Sequence, residues 1–316
     1  MAESTHYLYK IHLNHWLRHL GGDADRPAGA TTADDLAAYV RHRKEATSPA
    51  TAAKERRTLI QLFKWAVAVK KLSSSPASSL PVVAGEEDRP SFLTLAEVTR
   101  IVERGGLTRE QIHATWECIF LSPREIAELL RLVRDRSHDQ VSFLLHVIPA
   151  FTGMRPGEVL RLLWMDVDLE AGVIRAHSRK QKKGRLTIRT IGLHPQLRDI
   201  LMAWHQARPK GQFVIADPDS LEPIIRDRAN RLFWQPMRGT HWCLDGKKNW
   251  FKVGFHTYRH SFVSNLAAAG VDQRVIDEFA GHSTEEQRKR YRHLFPAVRQ
   301  SAVQLLPISL VGSEPR

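Results

Sequence analysis

A break in the helical pattern between residues 73 and 90 most constrains what this chain can fold into. The segment Ser73-Ser-Ser-Pro-Ala-Ser-Ser-Leu-Pro81, followed by Gly85-Glu-Glu-Asp-Arg-Pro90, is rich in residues that interrupt helices and strands. At 316 residues the chain is long enough for two domains, each with its own core. We therefore expect a first domain over residues 1–80, a linker over 81–90, a second domain over 91–296 and a tail over 297–316.

Apolar residues at helical spacing predict a bundle of three helices before the break. The first helix spans residues 5–20 and carries Tyr9, Leu13 and Leu17. Thr32 and Asp35 form a capping-box pattern that begins the second helix. The third begins at Pro49 and runs to residue 71, so the first domain is predicted to be helical.

The second domain is predicted to be mainly helical with one β-hairpin. Helices are expected from Leu93, from Leu121, over 139–151, from Pro156 through Trp164, and over 195–207, 257–269, 272–280, 284–294 and 297–305. Alternating residues in Val173–His177 and Leu186–Leu193 flank the basic turn Lys180–Gly184, which is typical of a hairpin. Residues 234–253 are expected to form an irregular loop. The fold class is therefore mainly α with a small β-hairpin or sheet.

An excess of positive charge points to the kind of partner. The sequence has 47 lysines and arginines against 34 aspartates and glutamates, a net charge of +13. The stretch 175–190 alone holds seven basic side chains and no acidic one. Such an excess is typical of proteins that bind nucleic acid, although a basic solvated surface gives the same composition.

Composition excludes several other classes of protein. No apolar run reaches the length of about 18 residues that a membrane span needs, so no membrane partner is expected. The N-terminus has no basic and apolar segments of a secretory signal. Cys118 and Cys243 are the only cysteines in the sequence, which excludes a disulfide scaffold and fits a cytoplasmic location.

Four short motifs in the second domain carry residues suited to chemistry. They are Arg155 with Glu158 in Thr152-Gly-Met-Arg-Pro-Gly-Glu, His256 with Arg259 in His-Thr-Tyr-Arg, His282 in Gly-His-Ser, and Tyr291 after Arg290. Each motif alone also has a purely structural interpretation, as a surface cation, a capped turn or a packing residue.

Together these residue types form a chemical set. Arginines offer permanently charged forks for phosphate oxygens, and histidines exchange protons near neutral pH. A lysine-rich hairpin supplies a cationic acid, and a tyrosine hydroxyl supplies a nucleophile. No carboxylate cluster typical of a magnesium site is evident, because Asp166 and Asp168 are better explained as turn residues. The set suits phosphoryl transfer through a covalent phosphotyrosine, with no cofactor expected.

In the order and spacing of these motifs the sequence closely resembles the tyrosine recombinases, also called phage-integrase-type site-specific recombinases. Arg155 matches the arginine of the family's Gly-x-Arg-x-x-Glu motif, and His256 and Arg259 match His-x-x-Arg. Tyr291 follows His282 by nine positions, as in the family pattern. The resemblance covers nearly the whole chain.

The catalytic lysine of the family lies on the turn after a Gly-Val-Ile segment, which points to Lys180. Lys182 and Lys183 compete for the role, because the hairpin is a few residues longer than the common form. The lysines that are not catalytic, with Arg179 and Arg185, are expected to contact DNA. Phe279-Ala280 stands where the family usually has two aliphatic residues, which we interpret as packing.

The resemblance implies a two-step transesterification on DNA. The implied roles are Tyr291 as the nucleophile that forms a 3′-phosphotyrosine, His256 as its base, Arg155 and Arg259 as ligands of the non-bridging oxygens, His282 as a further hydrogen-bond donor, and Lys180 as the acid for the departing 5′-oxygen. Glu158 lies one helical turn from Arg155 and is expected to hold its side chain.

The resemblance also implies partners. Residues 1–80 correspond to a helical core-binding domain and residues 91–296 to a catalytic domain. The expected partner is double-stranded DNA with a specific recombination site, bound by a homo-tetramer. Because the helical pattern starts almost at residue 1, no separate arm-binding domain is expected. The tail is either a frayed terminus or a segment that docks on a neighbouring subunit through Val303, Leu305 and Leu306.

Two other functions fit parts of the pattern. A catalytically silent DNA-binding protein of the same fold would bind DNA without forming a covalent adduct. A type IB topoisomerase shares the chemistry and would relax supercoils without a target sequence. The separate helical domain favours the recombinase.

Overall fold

A computed structural model describes residues 3–47, 49–83, 91–182, 185–207, 211–217, 220, 222–245, 250–281, 288 and 290. It divides the chain into two compact units, residues 1–89 and 90–316. Among the described residues, no helix has both the length and the apolar character to cross a membrane.

The first unit is built from the three predicted helices. They are α1 (Glu3–Leu20), α2 (Ala33–Ala46) and α3 (Pro49–Ala68). The predicted capping box at the start of α2 is confirmed, with Asp35 N–H donating to Thr32 Oγ1 at 3.1 Å and Thr32 N–H donating to Asp35 Oδ2 at 2.9 Å. The Ser/Pro-rich segment that follows also contributes to the core, because Ala77, Leu80 and Val83 are buried with the helices.

One buried carboxylate ties all three helices of this unit together. Glu55 on α3 is 1% exposed and accepts hydrogen bonds from Tyr39 Oη at 2.7 Å and from Arg43 Nε and Nη2 at 2.7 and 2.8 Å. His15 Nδ1 on α1 lies 3.0 Å from Oε1 of the same carboxylate. Burial alone would raise the pKa of Glu55, but these partners outweigh it and the pKa is lowered, so the carboxylate stays charged.

The second unit is mainly helical. Its described helices are α4 (Leu95–Glu103), α5 (Arg109–Trp116), α6 (Pro123–Arg136), α7 (Gln140–Thr152), α8 (Pro156–Val159), α9 (Pro195–Ala207), α10 (Arg226–Trp234), α11 (Phe255–Ala268) and α12 (Gln273–Ala280). Its described strands are β1 (Leu93–Thr94), β2 (Ile119–Phe120), β3 (Val167–Asp168), β4 (Val173–Lys182), β5 (Arg185–Gly192), β6 (Cys243–Asp245) and β7 (Trp250–Phe251). The mainly helical fold class with a small sheet is confirmed.

The predicted hairpin is confirmed and belongs to a three-stranded antiparallel sheet in the order β3-β4-β5. Val173 pairs with Gly192 and Ser178 with Thr187, and the register shifts before Lys182 pairs with Arg185. Strand β4 therefore extends through Lys180, which was expected in the turn.

The helix predicted from Pro156 through Trp164 is wrong in length. It ends at Val159, and residues 164–166 form a short 3₁₀ turn. The backbone explains the difference, because Leu162 O accepts from Val214 N–H and Trp164 N–H donates to Gln212 O, both at 2.8 Å. These pairings with a distant segment replace helical hydrogen bonds.

The loop predicted over residues 234–253 is also wrong in part. The described part of this region holds the end of α10 and the antiparallel pair β6–β7, and Trp242 is 1% exposed. Trp234 stacks on Phe251 at a centroid distance of 5.7 Å. Trp234 and Trp242 therefore pack in or against the core, although the glycines and lysines around them suggested a loop.

The last predicted helices have different outcomes. Helices α11 and α12 are confirmed, and Asp272 caps α12 by accepting from Arg274 N–H at 2.8 Å. Of the helix predicted over 284–294 the structure describes residues 288 and 290, and the helix predicted over 297–305 lies outside the described residues.

A neutral histidine in the core makes the stability of the second unit depend on pH. His146 on α7 is fully buried between Tyr258 Oη and Phe233 O, each 2.8 Å from a ring nitrogen, and burial lowers its pKa to about 3. The unfolded chain therefore binds this proton below a pH of about 6.5, whereas the folded protein does not. We expect this group to lower the free energy of unfolding by about 2 kcal/mol between pH 7 and pH 5.

Urea unfolding at the two pH values, compared between wild type and His146→Gln, measures this effect. The variant should lose less stability on acidification than wild type, whatever its stability at pH 7. Equal losses in the two proteins would contradict the assignment.

Candidate active site

A left-handed turn at the end of α7 sets the position of the first predicted arginine. Gly153 adopts φ +61° as the C-cap of the helix. A Cβ at this residue would lie 2.5 Å from Cδ1 of Phe262, so both the backbone angle and the space require glycine. Two residues later, Arg155 is the N-cap of α8, and its side chain is 33% exposed.

Glu158 holds Arg155 through both backbone and side chain. Its Oε2 accepts from Arg155 N–H at 2.7 Å, and its Oε1 accepts from Arg155 Nη1 at 3.2 Å. Arg155 Nη2 also donates to the carbonyl of Gly281 at 3.4 Å. The arginine side chain is therefore directed toward the end of α12 and is partly open to solvent.

Arg259 reaches the neighbouring carbonyl at the end of α12 from α11. Its Nη1 donates to Gly153 O at 2.8 Å, and its Nη2 donates to Ala280 O. Arg259 is 6% exposed, so these are buried bonds from a permanently charged group. The two predicted arginines thus bind the carbonyls of Ala280 and Gly281, the two residues before His282 in the sequence.

A third arginine contacts the Glu158 carboxylate and the end of α12, and the sequence did not predict it. Arg189 on β5 is 8% exposed, and its Nη1 and Nη2 donate to Glu158 Oε1 and Oε2 at 2.9 and 2.6 Å. Its Nε donates to Phe279 O at 2.7 Å. Burial would raise the pKa of Glu158, but Arg189 and then Arg155 outweigh it and the pKa is lowered, so the carboxylate stays ionised between two cations.

The alternation of buried and exposed residues along β5 could have predicted that Arg189 is buried. Residues two apart on a strand share a face, and Ile191 on the same strand is 1% exposed. An arginine on that buried face needs a buried acceptor, and a carboxylate is the strongest one available. The sequence interpretation instead counted Arg189 among the basic side chains of the hairpin.

Removing Arg189 should destabilise the second unit more than removing both members of its ion pair. Arg189→Met leaves Glu158 buried with one weaker partner, and we expect a loss of about 3 kcal/mol in the free energy of unfolding. The double variant Arg189→Met with Glu158→Met removes both buried charges and should lose less.

Urea unfolding measures these losses. Arg175→Met serves as the matched control, because Arg175 is exposed on the neighbouring strand β4 and should change stability by less than about 0.5 kcal/mol. A double variant less stable than Arg189→Met would contradict the buried-pair explanation.

His256 lies in the first turn of α11, one turn before Arg259 and His260. It is exposed to solvent. Loss of hydration from the surrounding protein lowers its pKa, and the cations Arg259, Arg155 and Arg226 lower it further. The lowered pKa favours the neutral imidazole, which is the form that accepts a proton.

The other predicted site residues are placed only in part. Arg179, Lys180 and Lys182 lie on β4 and Arg185 on β5, at the far end of the hairpin, and their side chains are outside the described part of the structure. Lys183, His282 and Tyr291 lie outside the described residues altogether. Their roles remain predictions.

The carboxylates of Asp166 and Asp168 have partners within the protein. Asp166 Oδ1 lies 2.8 Å from His177 Nε2, and Asp168 Oδ1 accepts from Ala171 N–H at 2.8 Å, as expected of turn residues. Among the described residues, no group of three or more His, Cys, Asp or Glu side chains is arranged to hold a metal ion.

Comparison with solved structures defines the class of fold. The chain superposes on the crystal structure of a lambda integrase dimer bound to a COC′ core site with a TM-score of 0.62, at 17% identity over 92% of this chain and 89% of that one. It matches the Tn1549 transposon integrase in complex with circular intermediate DNA with a TM-score of 0.60, at 19% identity over 92% and 90% of the two chains. This is the integrase fold.

The sequence family agrees with the fold. The model of the phage integrase family matches residues 120–297, which is more than half of the chain, so the chain belongs to this family. Among curated relatives, it is 27% identical to the ICEBs1 integrase of Bacillus subtilis over 62% of this chain and 54% of that protein. It is 30% identical to the tyrosine recombinase XerA of Thermococcus kodakarensis over 52% and 54%. The matched region spans about half the length of these relatives.

Proposed function

We propose that this chain is a site-specific DNA recombinase that cleaves and rejoins DNA strands through a 3′-phosphotyrosine intermediate. The observation that carries the proposal is the convergence of Arg155 and Arg259 on the carbonyls of Ala280 and Gly281. Two permanently charged groups from separate helices meet beside the peptide that leads to His282. Such a group of donors suits a phosphate whose non-bridging oxygens gain charge during transfer.

In the first step, the hydroxyl oxygen of Tyr291 attacks the scissile phosphorus. A new bond forms between this oxygen and phosphorus, and the bond from phosphorus to the 5′-oxygen breaks. The tyrosine proton passes to His256, whose lowered pKa keeps its imidazole neutral and able to accept it. Arg155 and Arg259 bind the non-bridging oxygens, and His282 donates a further hydrogen bond.

The second step reverses the first with a different strand. A free 5′-hydroxyl attacks the phosphotyrosine, the bond from phosphorus to Tyr291 breaks, and the tyrosine recovers its proton. The covalent intermediate retains the free energy of the broken phosphodiester bond, so rejoining needs no nucleotide hydrolysis. The product strands carry the same number of phosphodiester bonds as the substrates.

The departing 5′-oxygen needs a proton, and Lys180 is the proposed donor. A DNA substrate with sulfur in place of this oxygen does not need the donor, because a thiolate leaves without protonation. We expect Lys180→Ala to slow cleavage of ordinary DNA by about 10²- to 10⁴-fold and to cleave the sulfur substrate near the wild-type rate. Lys182→Ala and Lys183→Ala are the matched controls. If the sulfur substrate restores cleavage by one of these variants instead, that lysine is the proton donor.

The rest of the proposal concerns DNA and assembly. We propose that residues 1–80 bind the core of the recombination site, that residues 81–90 link the domains, that residues 91–296 carry catalysis, and that residues 297–316 dock on a neighbouring subunit. The net charge of +13 supports binding of double-stranded DNA. A lambda integrase tetramer bound to a Holliday junction has the same fold, which supports a homo-tetramer on DNA. Action on DNA would place the protein in the cytoplasm.

A nicked suicide substrate tests the proposal. The DNA sequences that flank the gene supply candidate sites, and a nick close to the cleavage position releases a short oligonucleotide that traps the covalent step. A protein–DNA adduct that survives denaturation, formed on the site and not on scrambled DNA, is the expected result. Tight binding without an adduct would favour a silent DNA-binding protein. Relaxation of plasmids that lack the site would favour a type IB topoisomerase.

A further inference from the structure

The residue before the proposed nucleophile contacts the body of the second unit through both its side chain and its backbone. The Arg290 guanidinium carbon lies 4.0 Å from the centroid of the Phe92 ring. Arg290 Nη2 donates to Cys118 Sγ at 3.7 Å, and the N–H of Phe92 donates to the carbonyl of Arg290 at 2.9 Å. Both the side chain and the backbone of Arg290 are thus held against Phe92 and Cys118.

The residues that contact Arg290 are buried parts of the fold. Phe92 is 5% exposed and Cys118 is 4% exposed, and they flank the β1–β2 pair, where Leu93 N–H donates to Cys118 O at 3.0 Å. A cation over a ring with little access to water interacts more strongly than one at an exposed site. Burial raises the pKa of the Cys118 thiol, so its sulfur meets Arg290 as a neutral acceptor.

The ring under Arg290 belongs to a stack that reaches the proposed base. Phe92 stacks on His260 at a centroid distance of 4.2 Å, and His260 lies parallel to His256 at 6.2 Å, with 19° between the ring planes. His256 and His260 are one turn apart on α11. The stack therefore connects Arg290 to the helix that carries the base.

We propose that Arg290 is a positioning residue that sets where Tyr291 can reach, by fixing the backbone one residue before it on Phe92 and Cys118. Consecutive Cα atoms lie about 3.8 Å apart, so a fixed Arg290 restricts the range of the next side chain. Attack on phosphorus needs the oxygen within about 3–3.5 Å, and a displacement of about 1 Å costs up to 10²-fold in rate. This inference rests on the proposed function of Tyr291.

The test uses the full chain and the suicide substrate under single-turnover conditions with saturating protein. Arg290→Gln removes the cation, and Phe92→Leu removes the ring. We expect each variant to form the adduct at least about tenfold more slowly, with the Kd for DNA within about twofold of wild type. Because both act through one contact, the double variant should be within about threefold of the slower single variant. Arg290→Lys keeps a cation over the ring and should retain most of the rate.

Arg131→Gln is the matched control. Arg131 is exposed on α6, and its Nε donates to the Ala127 carbonyl of its own helix at 3.3 Å, so its loss should leave adduct formation unchanged. Urea unfolding of each variant identifies losses of rate that come from misfolding. If Arg290→Gln does not fold, the two single variants Arg290→Lys and Phe92→Leu test the positioning role.

Three results would overturn the positioning role. These are a wild-type rate in Arg290→Gln, a fall in DNA affinity equal to the fall in rate, and effects of the two substitutions that multiply in the double variant. If wild type itself forms no adduct, the proposed function fails and this inference fails with it. A wild-type adduct with an unchanged Arg290→Gln refutes the positioning role alone.

Discussion

Tyr291→Phe will form no covalent adduct with DNA, while its affinity for DNA stays within about twofold of wild type. Phenylalanine keeps the ring and removes the one oxygen that can bond to phosphorus, so the loss is complete and not gradual. The measurement is denaturing electrophoresis of the suicide-substrate reaction, followed by mass spectrometry of the DNA-linked peptide from wild type. That peptide should contain Tyr291.

Tyr7→Phe is the matched control for this experiment. Tyr7 is 66% exposed on α1, and removing its hydroxyl should leave adduct formation at the wild-type level. An adduct formed by Tyr291→Phe, or a linked peptide from another region, would show that a different side chain is the nucleophile.

Arg155→Ala will abolish cleavage and leave most of the DNA affinity. An arginine that neutralises charge in phosphoryl transfer contributes about 10³- to 10⁵-fold to the rate, and we expect a loss in that range. Arg155 is one of 47 lysines and arginines, so its share of the general attraction to DNA is small. Its replacement leaves the pair between Glu158 and Arg189 in place, so the unit should still fold.

The contrast with Lys71→Gln makes this prediction specific. Lys71 is exposed in the first unit, and its loss should weaken binding and lower the salt slope by about one while bound protein cleaves at the wild-type rate. Single-turnover cleavage and binding at several salt concentrations separate the two effects. Equal losses of cleavage and binding in both variants would show that catalytic and general charges are not distinct.

Local rules account for the parts of the fold that were predicted from sequence. The capping box of Thr32 and Asp35 and the cap of α12 by Asp272 depend on residues within one turn of each other, and both are confirmed. The β4–β5 hairpin depends on alternation and a short turn, which are also local. The contact between Arg155 and Glu158 spans three residues and was expected for the same reason.

Distant partners explain what sequence reasoning missed. Helix α8 stops early because residues 162–164 pair with residues 212–214, about fifty positions away. Arg189 is inward because Glu158, thirty-one positions earlier, accepts its guanidinium. The bonds from Arg259 to Gly153 and Ala280 join three helices, and spacing within a motif carries no information about such contacts.

The shared carboxylate of Glu158 limits how this protein can be re-engineered. Strand β5 carries Arg189, whose partner Glu158 lies on α8. A transplanted hairpin without an arginine at this position would leave the buried Glu158 carboxylate with Arg155 as its remaining cationic partner. A chimera that replaces the hairpin therefore has to replace residue 158 with it, because the strand and α8 share one buried ion pair.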